Sequence, residues 1–276
     1  MFHRVLIGVD GKQGGRDAIA LARLLAAQDA SFVLGHVVDA DGRLAAGLGQ
    51  VVRRETALAV LRAEREQAGI EASLGICCDR RRGAGLARLA AERDADLIVI
   101  GKRNRAALWR LLEGDLVAEM LDDQHCALAV APVEFTPPEA VRQIAVGYDG
   151  TASSVCAVDK ARAIAAKRSA ELRVVSVLDP DAGDGAPVRL GDAAHLHVLR
   201  GEPVTELGRY AGSVDLLVIG TRTADRGPWP WPIGTCESLS QRTVTPLLIV
   251  PQPAKSERVG ADELVLEGVP HERRPI

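Results

Sequence analysis

The chain has 276 residues, a length that suggests two domains at roughly 150 residues per domain. Aromatic residues make up only 3% of the sequence, which argues against the rows of stacking rings that bind single-stranded nucleic acid. The formal net charge of −3 provides no basic field that would attract nucleic acid or an anionic membrane. We therefore expect no nucleic-acid and no membrane partner, and, without an export signal, a cytoplasmic location.

In chain order, short β-branched runs alternate with segments of helical periodicity. In the first half we predict strands at 4–9, 31–38, 96–100 and 126–131, and helices at 14–28, 50–69, 84–93 and 115–122. In the second half we predict helices at 153–168, 203–211 and 235–242. Strands that are apolar on nearly every residue and are joined by helices indicate parallel sheets buried on both faces. The predicted fold class is therefore α/β, with doubly wound parallel sheets.

Three sequence blocks occur twice in the same order, which indicates a duplicated domain. Residues 5–11 match 144–150, residues 94–101 match 213–220, and residues 126–132 match 245–251. We predict a first domain over 1–135, a second over 139–252, and a polar C-terminal tail over 253–276. Within that tail, the run Leu264-Val265-Leu266 either adds an edge strand or belongs to a segment without fixed structure.

The second copy is shorter than the first. Asp10 and Asp149 are 139 positions apart, whereas Gly101 and Gly220 are 119 apart, so about twenty residues are missing between the second and fourth strands. The segment 180–187 has the composition of a loop. This predicts that a loop replaces one crossover helix in the second domain.

The carboxyl ends of the first and fourth strands are where such sheets bind ligands. Asp10 and Asp149 follow the two first strands. A carboxylate at this position can accept hydrogen bonds from a ligand hydroxyl or amine. It can equally act as a helix cap or turn residue, and both interpretations remain open.

Glycines follow the fourth strand of each half. In the second half Gly220 is followed by Gly234 and Thr235 at a helix start, where exposed amide groups and the helix dipole favour an anion. In the first half Gly114 is followed by Asp115, whose negative charge would occupy the position of a phosphate. The second half is therefore the better candidate for an anion site.

Both halves resemble the universal stress protein family, here in tandem. The family pattern is an Asp after the first strand and, after the fourth, Gly-x-x-Gly, nine residues, then Gly-Ser/Thr. The resemblance covers residues 3–252 and implies two Rossmann-like, adenine-nucleotide-binding alpha-hydrolase-like domains. It also implies ATP or a related adenine nucleotide as ligand, with or without Mg²⁺. Finally, it implies an intramolecular pseudo-dimer that packs face to face, with the fifth strands near Leu128 and Leu248 at the pseudo-dyad.

The resemblance assigns nucleotide binding mainly to the second half. The residues matched there are Asp149, the backbone of Val177, Gly220, Thr223, Gly234, Thr235 and Cys236. The matching positions of the first half are Asp10, Val37, Gly101 and Gly114. Thr223 and Asn104 replace the second glycine of the family pattern, and Asp115 replaces its Ser/Thr. These departures predict a degenerate phosphate loop in the first half.

We expect a nucleotide-responsive stress-response module rather than a catalyst, with at most slow ATP hydrolysis. The sequence offers no evident general base, metal-binding acid pair or finger arginine, and lacks the G-x-G-x-x-G, Walker A and G-x-S-x-G motifs. No catalytic or metal-binding residue is predicted. One alternative is an interaction protein that binds no nucleotide; another is a slow ATPase or adenylate-transferring enzyme. A protein partner and a homodimer of the tandem remain open.

Four further groups of residues each allow two interpretations. Cys77-Cys78 is a redox switch or a pair of small apolar residues, and His195 and His197 are metal ligands or ordinary strand residues. A basic cluster either forms a rim that attracts anions or belongs to a solvated surface. The tryptophans lie beside the predicted phosphate loops. They either cover a ligand or fill its space, or they pack between the domains. The basic cluster consists of Arg80, Arg81, Arg82, Lys102, Arg103, Arg105 and Arg110, and the tryptophans are Trp109, Trp229 and Trp231.

Overall fold

The computed structural model describes residues 1–39, 48–102, 117, 120, 126–178, 195–221 and 235–252. They form one mostly parallel ten-stranded sheet with helices on both faces. The predicted α/β class is therefore confirmed. The domain limits stay a prediction.

Among its described residues, the first half contains five strands and three helices with defined bounds. The strands are β1 (Phe2–Gly8), β2 (Ala26–Asp39), β3 (Ser73–Asp79), β4 (Leu97–Gly101) and β5 (Ala127–Ala131), and the helices are α1 (Gln13–Leu25), α2 (Leu48–Ala68) and α3 (Arg82–Glu92). Helix α1 ends before the predicted limit at residue 28 because Ala26 pairs with Phe2 in the sheet. This long-range pairing overrides the helical propensity of an alanine-rich segment. Most of the predicted helix at 115–122 lies outside the described residues.

The second half repeats the strand pattern. Its strands are β6 (Gln143–Gly147), β7 (Glu171–Leu178), β8 (His195–Arg200), β9 (Leu216–Thr221) and β10 (Leu247–Pro251), and its helices are α4 (Ala152–Arg168), α5 (Pro203–Ala211) and α6 (Thr235–Arg242). Helices α5 and α6 have the predicted bounds. The predicted loop that replaces a crossover helix lies outside the described residues.

The two halves join through their fifth strands. The strand order is β3-β2-β1-β4-β5-β10-β9-β6-β7-β8, so the order of the second half mirrors that of the first. Strands β5 and β10 run antiparallel, with Leu248 beside Ala129 and Ile249 beside Leu128. The prediction of face-to-face packing is therefore wrong. The halves meet edge to edge, because backbone hydrogen bonding between two exposed strand edges makes one continuous sheet.

Each face of the sheet carries a hydrophobic core that continues through both halves. On one face α1, α2 and α4 contribute buried residues such as Leu21, Leu61 and Ala157. On the other face α3, α5 and α6 contribute buried residues such as Leu89, Leu207 and Leu239. Burial of one such leucine stabilises the fold by about 1.5–3 kcal/mol. The shared cores make the two halves one packed structure.

The repeated aspartate that precedes β4 and β9 ties strands together at their amino ends. The carboxylate of Asp96 accepts hydrogen bonds from the backbone N–H groups of His3 and Arg4 at 2.9 and 3.0 Å. Asp215 accepts the equivalent bonds from the two residues at the start of β6, at 2.7 and 2.9 Å. The repeat of this block therefore reflects a structural contact at the end of the sheet remote from the candidate site.

Candidate functional site

Asp10 and Asp149 lie in matching turns between the first strand and the first helix of their halves. Oδ1 of Asp149 accepts hydrogen bonds from the backbone N–H and the hydroxyl of Thr151, at 3.0 and 2.5 Å. Oδ1 of Asp10 accepts one from the backbone N–H of Lys12 at 3.2 Å. The glycine after each aspartate has a φ of 73° or 79°, a left-handed conformation that favours glycine. Both aspartates thus form a turn, and their ligand-binding role stays a prediction.

Three hydroxyl groups that sequence analysis did not identify cluster at the start of α4. Thr151 is the N-cap and accepts a hydrogen bond from the backbone N–H of Ser154 at 3.3 Å. Its Oγ1 lies 3.0 Å from Oγ of Ser153. The Asp149 backbone N–H donates to Oγ of Ser154 at 3.4 Å. The signal was the run Thr151-Ala152-Ser153-Ser154, because hydroxyl residues are preferred where a helix begins.

The first half lacks these hydroxyls. Lys12, Gly14 and Gly15 stand at the positions of Thr151, Ser153 and Ser154, and the N-cap Lys12 makes no side-chain capping bond. Of the two turns, only that of the second half therefore contains side-chain hydroxyl groups.

Gly101 and Gly220, at the ends of β4 and β9, allow the first helix of each half to approach the sheet. A Cβ atom at Gly101 would lie 1.8 Å from the carbonyl oxygen of Gly14, and one at Gly220 would lie 2.3 Å from that of Ser153. In the sequence analysis the family resemblance assigned these glycines to nucleotide binding. On the side where a Cβ would project, helix backbone fills the space instead.

The start of α6 lies next to the carboxyl end of β9. Thr235 begins α6 and is buried, and the Cys236 thiol lies 3.8 Å from the carbonyl oxygen of Gly220. Because Gly220 also contacts Ser153, the N-termini of α4 and α6 converge at the carboxyl end of β9. Two positive helix ends at one place form an environment suited to an anion.

The remaining predicted residues are placed as follows. Val177 on β7 is buried, and Val37 on β2 lies against α3, where a Cβ at Gly85 would be 2.7 Å from its Cγ1. The structure thus brings together Asp149, Gly220, Thr235 and Cys236 through the helix starts. Outside the described residues lie Thr223, Gly234, Gly114, Asn104, Asp115, Trp109, Trp229 and Trp231.

Lys102 belongs to a contact between the halves rather than to a solvated basic rim. Its backbone N–H donates to the carbonyl oxygen of Ala131 at 3.0 Å, and its ammonium donates to the carbonyl oxygen of Thr243 just after α6. Burial lowers the pKa of Lys102 to about 8. By contrast, Arg80, Arg81 and Arg82 are exposed, as a solvated surface would be.

This burial predicts a pH-dependent effect of Lys102→Met. Between the lowered pKa of about 8 and the ordinary pKa of about 10.4, the folded protein has lost a proton that the unfolded chain retains. The free energy of unfolding of the wild type should therefore rise with pH in this window relative to that of the variant. Urea unfolding of both proteins from pH 7.5 to 10 measures the difference, and a constant difference would contradict the assignment.

In both the cysteine pair and the histidine pair, one residue contacts a side chain of a neighbouring helix. Cys77 is buried and Cys78 is half-buried, and as neighbours on β3 they point to opposite faces of the sheet. Arg88 donates to Sγ of Cys77 at 2.5 Å, and burial raises the pKa of that thiol. The ring of His197 packs against Tyr210 with centroids 5.5 Å apart. No cluster of three or more potential metal ligands occurs within the described ranges.

Comparison with known proteins supports the fold. Residues 1–132 match the Universal stress protein family, whereas no curated protein matches the chain. A universal stress protein from Archaeoglobus fulgidus DSM 4304 is 17% identical, with coverage of 91% of this chain and 96% of that chain and a TM-score of 0.69. A protein of unknown function from Pseudomonas aeruginosa PAO1 is 16% identical, with coverage of 91% and 93% and a TM-score of 0.62. At these identities the likeness shows the fold, and it extends across both halves. Among the helices that the structure describes, none is long and apolar enough to span a membrane.

Proposed function

We propose that this chain, whose residues 1–132 match the universal stress protein family, is a regulatory module that binds ATP or a related adenine nucleotide, mainly in its second half. The observation that carries the proposal is the convergence of the α4 and α6 N-termini at Gly220. Phosphate groups are stabilised where backbone N–H groups and helix dipoles point at them.

The chemistry of the second half suits the different parts of a nucleotide. The hydroxyls of Thr151 and Ser154 donate to Oδ1 of Asp149 and to the carbonyl oxygen of Thr151, and they thereby stabilise the turn at the helix start. The Asp149 carboxylate offers an acceptor for ribose hydroxyls, and the segment around Val177 offers backbone groups for an adenine. We propose Gly234 and Thr235 as the phosphate-binding part, with Thr223 in the adjoining segment. Mg²⁺ would accompany the phosphates of the nucleotide.

The first half is proposed to bind nucleotide weakly or to bind none. Lys12, Gly14 and Gly15 replace the three hydroxyl residues, and Asp115 adds a negative charge beside Gly114. A carboxylate at that position repels a phosphate. The two halves of one chain therefore form a natural comparison of two related sites.

Asp149→Asn should weaken ATP binding about ten- to a hundredfold. Asparagine retains an oxygen that accepts the Thr151 backbone N–H, so the turn persists, but it loses the charge that strengthens hydrogen bonds to a ribose. Such charge-assisted bonds contribute about 1.5–3 kcal/mol, which corresponds to this change in Kd. Isothermal titration of the full chain, after any copurified nucleotide has been released and identified, measures the Kd.

Asp10→Asn is the matched control, because it makes the same change in the equivalent turn of the first half. It should leave the ATP affinity within about twofold of wild type. Equal effects of both substitutions would contradict the assignment to the second half. If the wild type neither copurifies with nor binds any adenine nucleotide, the interaction-protein alternative replaces the proposal.

A further inference from the structure

Strand β8 ends the sheet with an open edge. Within the described part of the chain it pairs only with β7. Val198 in the middle of β8 is 49% exposed, and Leu196 on the same face is half-buried. An edge strand with exposed apolar residues is a template for the addition of another strand.

The opposite end of the sheet is covered on the corresponding face. There α2 packs on β2 and β3, with Ala57 and Leu61 buried at 3% and 0% exposure. The connection that includes α2 runs over 40–72, whereas β7 and β8 are joined by 179–194 alone. A parallel crossover itself takes a dozen or more residues. With 16 residues, the second connection is shorter than α2 alone, which has 21.

We propose that residues 262–267 of this chain add to β8 as an antiparallel edge strand. The segment Asp262-Glu263-Leu264-Val265-Leu266-Glu267 places two leucines on one face, flanked by acidic residues. Strand β8 has two apolar residues on one face and a basic residue, Arg200, at its carboxyl end. The charge of the segment is thus opposite to that of the strand end that it would meet.

One register satisfies the apolar and the charged positions together. It places Asp262 opposite Arg200, Leu264 opposite Val198, and Leu266 opposite Leu196. Cross-strand pairs of this kind each stabilise a sheet by about 0.2–1 kcal/mol. A second copy of β8 is a poorer occupant, because β8 contains no acidic residue that could lie opposite Arg200.

The tail is long enough to reach this edge from the correct end. Strand β10 ends at Pro251, and the parallel strands of the second half, β8 included, end on the same side of the sheet. The position beyond β8 is five strand spacings away, or about 24 Å. Residues 252–261 span up to about 33 Å when extended. A segment that arrives from this end runs antiparallel to β8.

Hydrogen exchange of the full-length chain tests the proposal. Leu264→Lys removes an apolar contact with Val198, and we expect the amides of residues 195–200 to exchange roughly tenfold faster than in the wild type. Val259→Lys makes the same chemical change in the tail outside the proposed strand, and it should leave exchange of 195–200 unchanged. Amides of β1 serve as an internal reference, because neither substitution should alter them.

Equal exchange of 195–200 in the wild type and Leu264→Lys would overturn the proposal, as would equal acceleration by both substitutions. The wild type is also measured at two protein concentrations tenfold apart. Protection that is independent of concentration supports an intramolecular strand. Protection that falls on dilution assigns the edge to a second copy and overturns the proposal.

Discussion

Gly220→Ala is expected to destabilise the protein by at least about 3 kcal/mol. The added Cβ would lie 2.3 Å from the carbonyl oxygen and 2.5 Å from the carbonyl carbon of Ser153, far inside van der Waals contact. Overpacking of a core side chain typically costs about 1–3 kcal/mol. Here the obstacle is helix backbone, which cannot move aside by a change of rotamer, so the effect should lie at or above that range.

Gly101→Ala should have an equal or larger effect, because its Cβ would lie only 1.8 Å from the carbonyl oxygen of Gly14. Urea unfolding followed by circular dichroism gives the free energy of unfolding of each variant. Gly208→Ala on α5 is the control, since the one atom that its Cβ would meet within 4 Å in the described part of the chain belongs to Leu239, at 3.9 Å. Alanine is the better helix former by about 1 kcal/mol, so this control should be neutral or slightly stabilising. Wild-type stability of Gly220→Ala would contradict the described packing of α4 against β9.

Asp17→Ala should destabilise the protein by about 3 kcal/mol. Asp17 on α1 is 1% exposed and accepts hydrogen bonds from the backbone N–H groups of Glu134 and Phe135 at 2.9 and 3.1 Å. Its Oδ1 also accepts one from the Gln13 amide at 2.9 Å. Alanine removes the charged acceptor of two backbone N–H groups, and a hydrogen bond to a charged group contributes about 1.5–3 kcal/mol.

Asp17→Asn should fall between the wild type and Asp17→Ala, because asparagine retains one acceptor oxygen and turns an NH₂ group toward a donor. Asp159→Ala provides the surface control: its contact with Arg162 is an exposed pair at 3.8 Å, and such pairs contribute about 0–1 kcal/mol. Urea unfolding measures all three variants. Similar stabilities of Asp17→Ala and Asp159→Ala would show that the segment after β5 does not depend on this carboxylate.

The elements that sequence analysis predicted well are those whose signals are local. The bounds of α5 and α6 follow from helical periodicity, and the repeat of residues 94–101 at 213–220 places two equivalent strands correctly. Helix α1 is the exception, because the residue that ends it pairs with Phe2, which lies far away in the sequence. Local propensity carries no information about such a partner.

The role of individual site residues was harder to predict. Asp17 contacts residues 117 and 118 positions away, and the repeat gives no indication because Cys156 stands at the matching position. Gly101 and Gly220 were recognised as special, yet the neighbour that requires a glycine is helix backbone. The direction in which a missing Cβ would point depends on the packed structure and cannot be read from residue spacing.

The antiparallel contact between β5 and β10 also determines the directions in which this molecule can be approached. Because the strands of the two halves run in opposite senses, their carboxyl ends lie along opposite rims of the sheet. The rim that contains Gly220 and the rim that contains Gly101 therefore face away from each other. A ligand at the first rim is separated from the second by the full length of the strands.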